Sequence, residues 1–264
     1  MSDQTPAEHP VLFEMLTPHI ALVTLNRPDK RNAISPEIAK EMDAIVGRVE
    51  NDPEIRVVLL NSSEPRVFCS GADLGAVAAG RGRELDTTTG GFGGFVYIAR
   101  LKPWIAVVEG MALAGGCEIC LACDMIVASE TAKFGLPETK RGLMAGAGGI
   151  HRLVNAVPRN LAYEMLATGD NFDAAFAHRA GLVNRLVPAG QAMAAALELA
   201  EVIAANAPLA VQYTLGAARE SWSQPDGAGR AFAAGRMLAL RRSEDFKEGP
   251  RAFLEKRPAV WTGR

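Results

Sequence analysis

Apolar and polar residues alternate through 11–16 (VLFEML) and again through 20–25 (IALVTL), with Thr17-Pro18-His19 between them, a pattern that predicts a β-hairpin. Ser35 followed by Pro36 has the form of a helix cap and first helical residue, and predicts a helix to about Val49. Along it Ile38, Met42, Ile45, Val46 and Val49 fall on one face. Asn51-Asp52-Pro53 ends that helix, and the unbroken apolar run 55–60 reads as a strand buried on both faces. The same order then recurs. Residues 65–68 lead into a turn at Ser70-Gly71-Ala72-Asp73 and a short helical patch, and 104–108 forms a second buried strand. A turn over 110–116 enters a short helix, and 124–128 is a further strand. Between these units 85–95, with Gly90, Gly91, Gly93 and Gly94, reads as the most flexible stretch, followed by a helix to Leu101. Strand, turn and helix recur without a fixed period.

From about Ala145 the pattern becomes mainly helical, with helices near 147–155, 159–167 and 173–179 and a short strand over 183–187. Longer helices are predicted over 191–205, 208–221, 227–241 and 244–255, two of them separated by the Pro- and Gly-containing segment 223–229. The fold class is therefore α/β at the front and all-α at the back.

A chain of 264 residues, 48% hydrophobic and 22% charged, can bury a full core in one large domain. The formal net charge of −2 provides no pull toward nucleic acid or an anionic membrane. No apolar run reaches the roughly 18 residues of a membrane span. The start MSDQTPAEHP has neither a basic nor an apolar signal region, so a cytoplasmic protein is expected. Cys117, Cys120 and Cys123 have a C-x-x-C-x-x-C spacing. On a helix the outer two would stand about 9 Å apart along the axis, a poor cage for an iron–sulfur cluster. They read, with Cys69, as small buried thiols.

Two segments carry candidate chemistry. In the first, 108–118, small residues ahead of a helix let a ligand approach the backbone, where free N–H groups and a partial positive charge meet it. Tight helix–strand packing explains the same glycines. That helix also holds Glu118 among Cys, Ile and Leu, where an unpaired carboxylate is expensive to bury, which favours a functional role. In the second, Phe134-Gly135-Leu136-Pro137-Glu138 sets a carboxylate in a rigid turn before Gly146-Ala147-Gly148-Gly149. Taken alone, Glu138 reads more readily as a solvated or capping carboxylate. His9, His19, His151 and His178 have no metal-ligand or triad spacing, and neither a P-loop nor a dinucleotide fingerprint is present.

Eight ordered segments together resemble the enoyl-CoA hydratase (crotonase) family. They are Asn26-Arg27-Pro28 with Asn32-Ala33; the run from Phe68 to Leu74 (FCSGADL); Ala114-Gly115-Gly116-Cys117-Glu118 with Cys123-Asp124; Phe134-Gly135-Leu136-Pro137-Glu138; Gly146-Ala147-Gly148-Gly149; Thr168-Gly169; Ala180-Gly181-Leu182-Val183; and Phe253-Leu254-Glu255-Lys256-Arg257. The resemblance implies a crotonase-type spiral of ββα units over 1–200 and a C-terminal helical trimerisation region over 201–264, assembled as a homo-trimer or hexamer. It implies an acyl-CoA thioester substrate, no separate cofactor or metal, and no nucleic-acid or membrane partner. Backbone N–H groups at Ala72 and Gly115 fall where the family binds the thioester oxygen, and Glu118 and Glu138 where its hydratases hold water. Glu118 is expected to take a proton from that water and Glu138 to protonate the α-carbon. Ala33, Ser70, Asp73 and Leu74 are expected along the CoA moiety, with Lys30, Arg31 and Lys256 toward its phosphates. The family often has glycine where Ala114 stands. Double-bond isomerisation, dehydration of a specialised acyl-CoA and non-catalytic acyl-CoA binding are the alternatives; two glutamates favour hydration.

Overall fold

A computed structural model describes residues 9–222 and 224–264. The polar start over 1–8 and Ser223, within the expected linker, lie outside the described residues. The initial hairpin forms as β1 (Val11–Thr17) and β2 (Ile20–Leu25), with Thr17 already paired to Ile20 so that Pro18-His19 make the turn. In α1 (Pro36–Asn51) the Ser35 side chain accepts from the Ile38 N–H, and Ile38, Met42, Val46 and Val49 are buried. β3 (Val57–Ser62) runs parallel to β2, and β4 (Val67–Cys69) departs into a second sheet. Asp73 then caps α2 (Leu74–Ala78), accepting from Gly75 and Ala76.

Two expectations fail in the next segment. The glycine-rich stretch is a built hairpin, β5 (Asp86–Thr87) with β6 (Gly91–Phe92), rather than a loose loop. Its glycines permit close packing: a β-carbon at Gly94 would lie 2.0 Å from the Ala39 carbonyl oxygen of α1. Nor does a helix run to Leu101. Gly93 and Gly94 turn the chain at φ +64°, and the Arg100 guanidinium donates to the Phe95 and Ala122 carbonyls.

β7 (Trp104–Val108) is fully buried, as read. The expected turn over 110–116 contains a strand, β8 (Met111–Leu113), too short and too glycine-flanked to show a period, and only then α3 (Gly115–Ala122). β9 (Met125–Ser129) and β10 (Lys133–Gly135) follow. β3, β7 and β9 are parallel neighbours in one sheet, while β4, β8 and β10 are parallel neighbours in the other. Each turn of the chain thus adds a strand to each sheet, a spiral of ββα units.

Helices α4 (Gly149–Ala156) and α5 (Arg159–Thr168) lead to β11 (Asn171–Asp173), antiparallel to β10. After α6 (Ala174–Arg179), β12 (Arg185–Val187) closes the larger sheet beside β9. α7 (Ala192–Ala204) crosses residue 200 and lays Ala192, Ala196, Ala200 and Ala204 on Ile20, Leu22, Val57, Leu59 and Ile105 of that sheet. The opposite face packs on the main core, around Phe68, Phe95 and Trp104. Burial on both sides explains why its central strands read as unbroken apolar runs. The tail is α8 (Pro208–Ser221), α9 (Asp226–Leu240) and α10 (Glu244–Glu255).

Candidate active site

The two Gly-rich turns expected to meet the ligand come together. A β-carbon at Gly71 would stand 2.8 Å from the Ala114 Cβ and 3.1 Å from the Gly115 nitrogen, so the turn after β4 rests directly against the turn after β8. Among the described residues neither the Ala72 nor the Gly115 N–H has a protein acceptor. Both residues line a cleft of about 1230 Å³. Ala114 adopts φ +50°, ψ −128°, a conformation that favours glycine, and its methyl occupies the space that Gly71 leaves open.

Glu118 lies in the first turn of α3, 3% exposed, and opens onto the same cleft. Its Oε1 accepts from the Gly149 N–H at 2.9 Å. Gly149 has to be small, because a β-carbon there would sit 3.0 Å from that oxygen. Burial pushes the Glu118 carboxyl up to about 7, against the lowering effect of the Gly149 hydrogen bond, and the Glu138 charge adds to the rise. Glu138 stands in a 3-10 turn, Pro137–Arg141, also facing the cleft. Its Oε2 is buried without a hydrogen-bond partner among the described residues. Burial raises its pKa as well. Two carboxyls of this kind, lining one cleft with the Ala72 and Gly115 N–H groups, can hold a water and exchange protons with it.

Lys30, Arg31, Ala33, Ser70, Asp73 and Leu74 line another part of the cleft. The Ser70 N–H donates to the Arg31 carbonyl at 3.1 Å, which joins the two segments. Asp73 serves mainly the turn: besides capping α2, its carboxylate takes a 2.6 Å ion pair from Arg27, which holds its pKa low. Lys256 is not brought to the cleft; it ends α10 in a left-handed conformation, φ +53°. Of the cysteines, Cys69, Cys117 and Cys120 are buried, and burial pushes the Cys69 and Cys117 thiols up to about 12.

The chain matches the enoyl-CoA hydratase/isomerase family model over residues 17–264. An enoyl-CoA hydratase of Mycobacterium tuberculosis, EchA19, is 43% identical over 254 residues, covering 93% of this chain and 94% of the relative. A carnitinyl-CoA dehydratase of Citrobacter koseri is 40% identical, covering 92% and 94%. The crystal structure of an enoyl-CoA hydratase from M. tuberculosis superposes with a TM-score of 0.93 at 40% identity, over 97% of this chain and all of that one. The chain belongs to the enoyl-CoA hydratase/isomerase family.

In this enoyl-CoA hydratase/isomerase chain the glycine-rich stretch 85–95 also supplies walls of the cleft, and residues outside it supply others. Phe92, Tyr97, Leu143 and Met144 line the cleft, with Leu143 and Met144 59% and 72% exposed. The Phe92 ring lies against Gly115, where a β-carbon would meet it at 2.4 Å. Asp86, cross-strand partner of Phe92, lines the cleft too, and partial burial raises its pKa. Nothing in the local pattern marks Tyr97, which falls in the expected helix to Leu101, or Leu143 and Met144, whose segment reads as irregular.

Proposed function

We propose that this protein is an enoyl-CoA hydratase that adds water reversibly, on one face, to a trans-2-enoyl-CoA to give a 3-hydroxyacyl-CoA. The observation that carries this reading is the pair of carboxyls, Glu118 buried and Glu138 half-buried, lining one cleft with the Ala72 and Gly115 N–H groups, which have no acceptor among the described residues. The thioester oxygen accepts from those two N–H groups, which stabilise the enolate-like charge; loss of one such donor typically costs about 3–4 kcal/mol of barrier. Glu118, in its ionised form, takes a proton from water as the water oxygen bonds to the β-carbon. Glu138, in its protonated form, gives its proton to the α-carbon. The next water returns the proton from Glu118 to Glu138, so the pair titrates as a unit. Only water is added, and the step needs no electron acceptor.

The CoA moiety lies along Ala33, Ser70 and Leu74, with Lys30 and Arg31 toward its phosphates; Lys256 reaches CoA from a neighbouring subunit of a trimer or hexamer. The relative named as a carnitinyl-CoA dehydratase supports the reverse direction on a substituted acyl group as the second reading. The test is loss of the conjugated thioester absorbance of crotonyl-CoA and longer trans-2-enoyl-CoAs. Glu118→Gln and Glu138→Gln should each slow hydration about 10²-fold or more while CoA-ester binding persists. Full activity in both variants would remove the mechanism.

A further inference from the structure

Glu118 takes its hydrogen bond from the loop between the 3-10 turn and α4, and that loop is held from behind. The Gly149 N–H donates to Glu118 at 2.9 Å, and the Ala147 N–H is near enough to the same carboxylate to oppose the rise of its pKa. Behind them the Tyr97 hydroxyl donates to the Gly146 carbonyl at 2.9 Å. In a trans peptide the carbonyl of one residue and the N–H of the next point in opposite directions. Holding the Gly146 oxygen outward therefore aims the Ala147 N–H inward.

Arg152 completes the arrangement. It donates to the Ala147 carbonyl at 3.3 Å and to the Val96 carbonyl, and its guanidinium lies 5.5 Å from the centre of the Tyr97 ring. A cation in the first turn of α4 opposes the helix dipole, so the site needs a compensating reason. Arg152 has no carboxylate within ion-pair distance among the described residues. The titratable and charged groups around it are Glu118, Tyr97, Cys123, Arg100 and His151, and Glu118 also faces Glu138 and Cys117. Burial pushes both thiols up to about 12, so neither carries charge near neutrality.

We propose that Tyr97 and Arg152 are positioning residues for Glu118: the hydroxyl sets the Gly146–Ala147 peptide plane and the guanidinium holds the Ala147 carbonyl, so that this loop keeps its N–H groups on the carboxylate that takes the proton from water. This rests on the hydratase reading above. Neither side chain has to touch substrate for the effect, although Tyr97 also lines the cleft.

The experiment is the pH dependence of kcat and KM on crotonyl-CoA for the parent enzyme, Tyr97→Phe, Arg152→Gln and Arg152→Lys. In Tyr97→Phe and Arg152→Gln the rising limb should move up by about one pH unit, as expected for a lost charge-assisted contact to the base. From a midpoint near 7, that shift makes kcat about fivefold lower at pH 7 and nearly normal at pH 9, with KM within about twofold. Arg152→Lys, which keeps the charge, should shift less than Arg152→Gln. Equal losses at every pH would mean a merely structural role and overturn the proposal. A raised KM with an unmoved limb in Tyr97→Phe would do the same, by making Tyr97 a substrate wall. If Arg152→Gln fails to fold, Tyr97→Phe, which removes one oxygen, still decides. Inactivity of the parent enzyme on every enoyl-CoA would overturn the reaction itself and this inference with it.

Discussion

Glu118 is a costly residue to keep where it stands. In the unfolded chain it ionises near 4.5, while in the folded protein burial holds its proton until about 7. Folding thus binds the proton more tightly, so its contribution is fully present below pH 4.5 and is lost as pH rises through 7. Glu118→Gln, which mimics the protonated form, should therefore be about 3 kcal/mol more stable than the parent at pH 8, with no advantage near pH 4. Urea unfolding at the two pH values measures this; equal gains at both would disprove the burial cost. Ala114 is a second strained position, at φ +50°. Ala114→Gly should remove roughly 1–3 kcal/mol of backbone strain and return part of it as unfolded-state entropy, a net rise of a few degrees in Tm at most. A fall in Tm would mean that the methyl contact over Gly71 outweighs the strain.

At the scale of elements, the helical tail is joined to the spiral through a few polar contacts. Arg219 of α8 donates at 2.7 Å to Asp124, just ahead of β9, and at 2.7 Å to the Arg100 carbonyl. Asp124 also accepts from the Trp104 N–H at the start of β7. Arg219→Ala strands a largely buried carboxylate and should destabilise the chain by about 3 kcal/mol. Calorimetry would register it, and a variant with parental Tm would show that the pair is solvated and idle. The same scale shows what local patterns convey. The helix from Pro36 was legible because its cap and its apolar face are i to i+4 properties. The hairpin at 86–92 was not, because its Gly90 and Gly91 answer to Gly94 and the Tyr97 ring once the chain has folded back, and a glycine read alone signals only freedom.

At the scale of the molecule, the tail leaves apolar side chains uncovered: Trp222, Met237, Leu238, Phe253 and Leu254 are 63%, 47%, 55%, 82% and 79% exposed. Exposed large apolar side chains of this number on the tail are what burial between several copies would cover. Light scattering on the parent protein should give a trimer or hexamer, and Phe253→Ser with Leu254→Ser should shift it toward monomer; a monomeric parent would refute the assembly. The sequence by itself determined the alternation of strands and helices and the buried character of the central strands, and it marked Glu118 and Glu138 as candidates, because periodicity, capping and motif are carried by near neighbours in the chain. Only the tertiary structure decided that Asp73 is occupied with Arg27, that Phe92 lies against Gly115, and that Tyr97 and Arg152 hold the loop that bonds Glu118. It also left Lys256 outside the cleft of its own chain. The physical reason is that these encounters are made by parallel strands stacking turn upon turn, and the partner of a residue is then set by sheet register and packing rather than by sequence spacing.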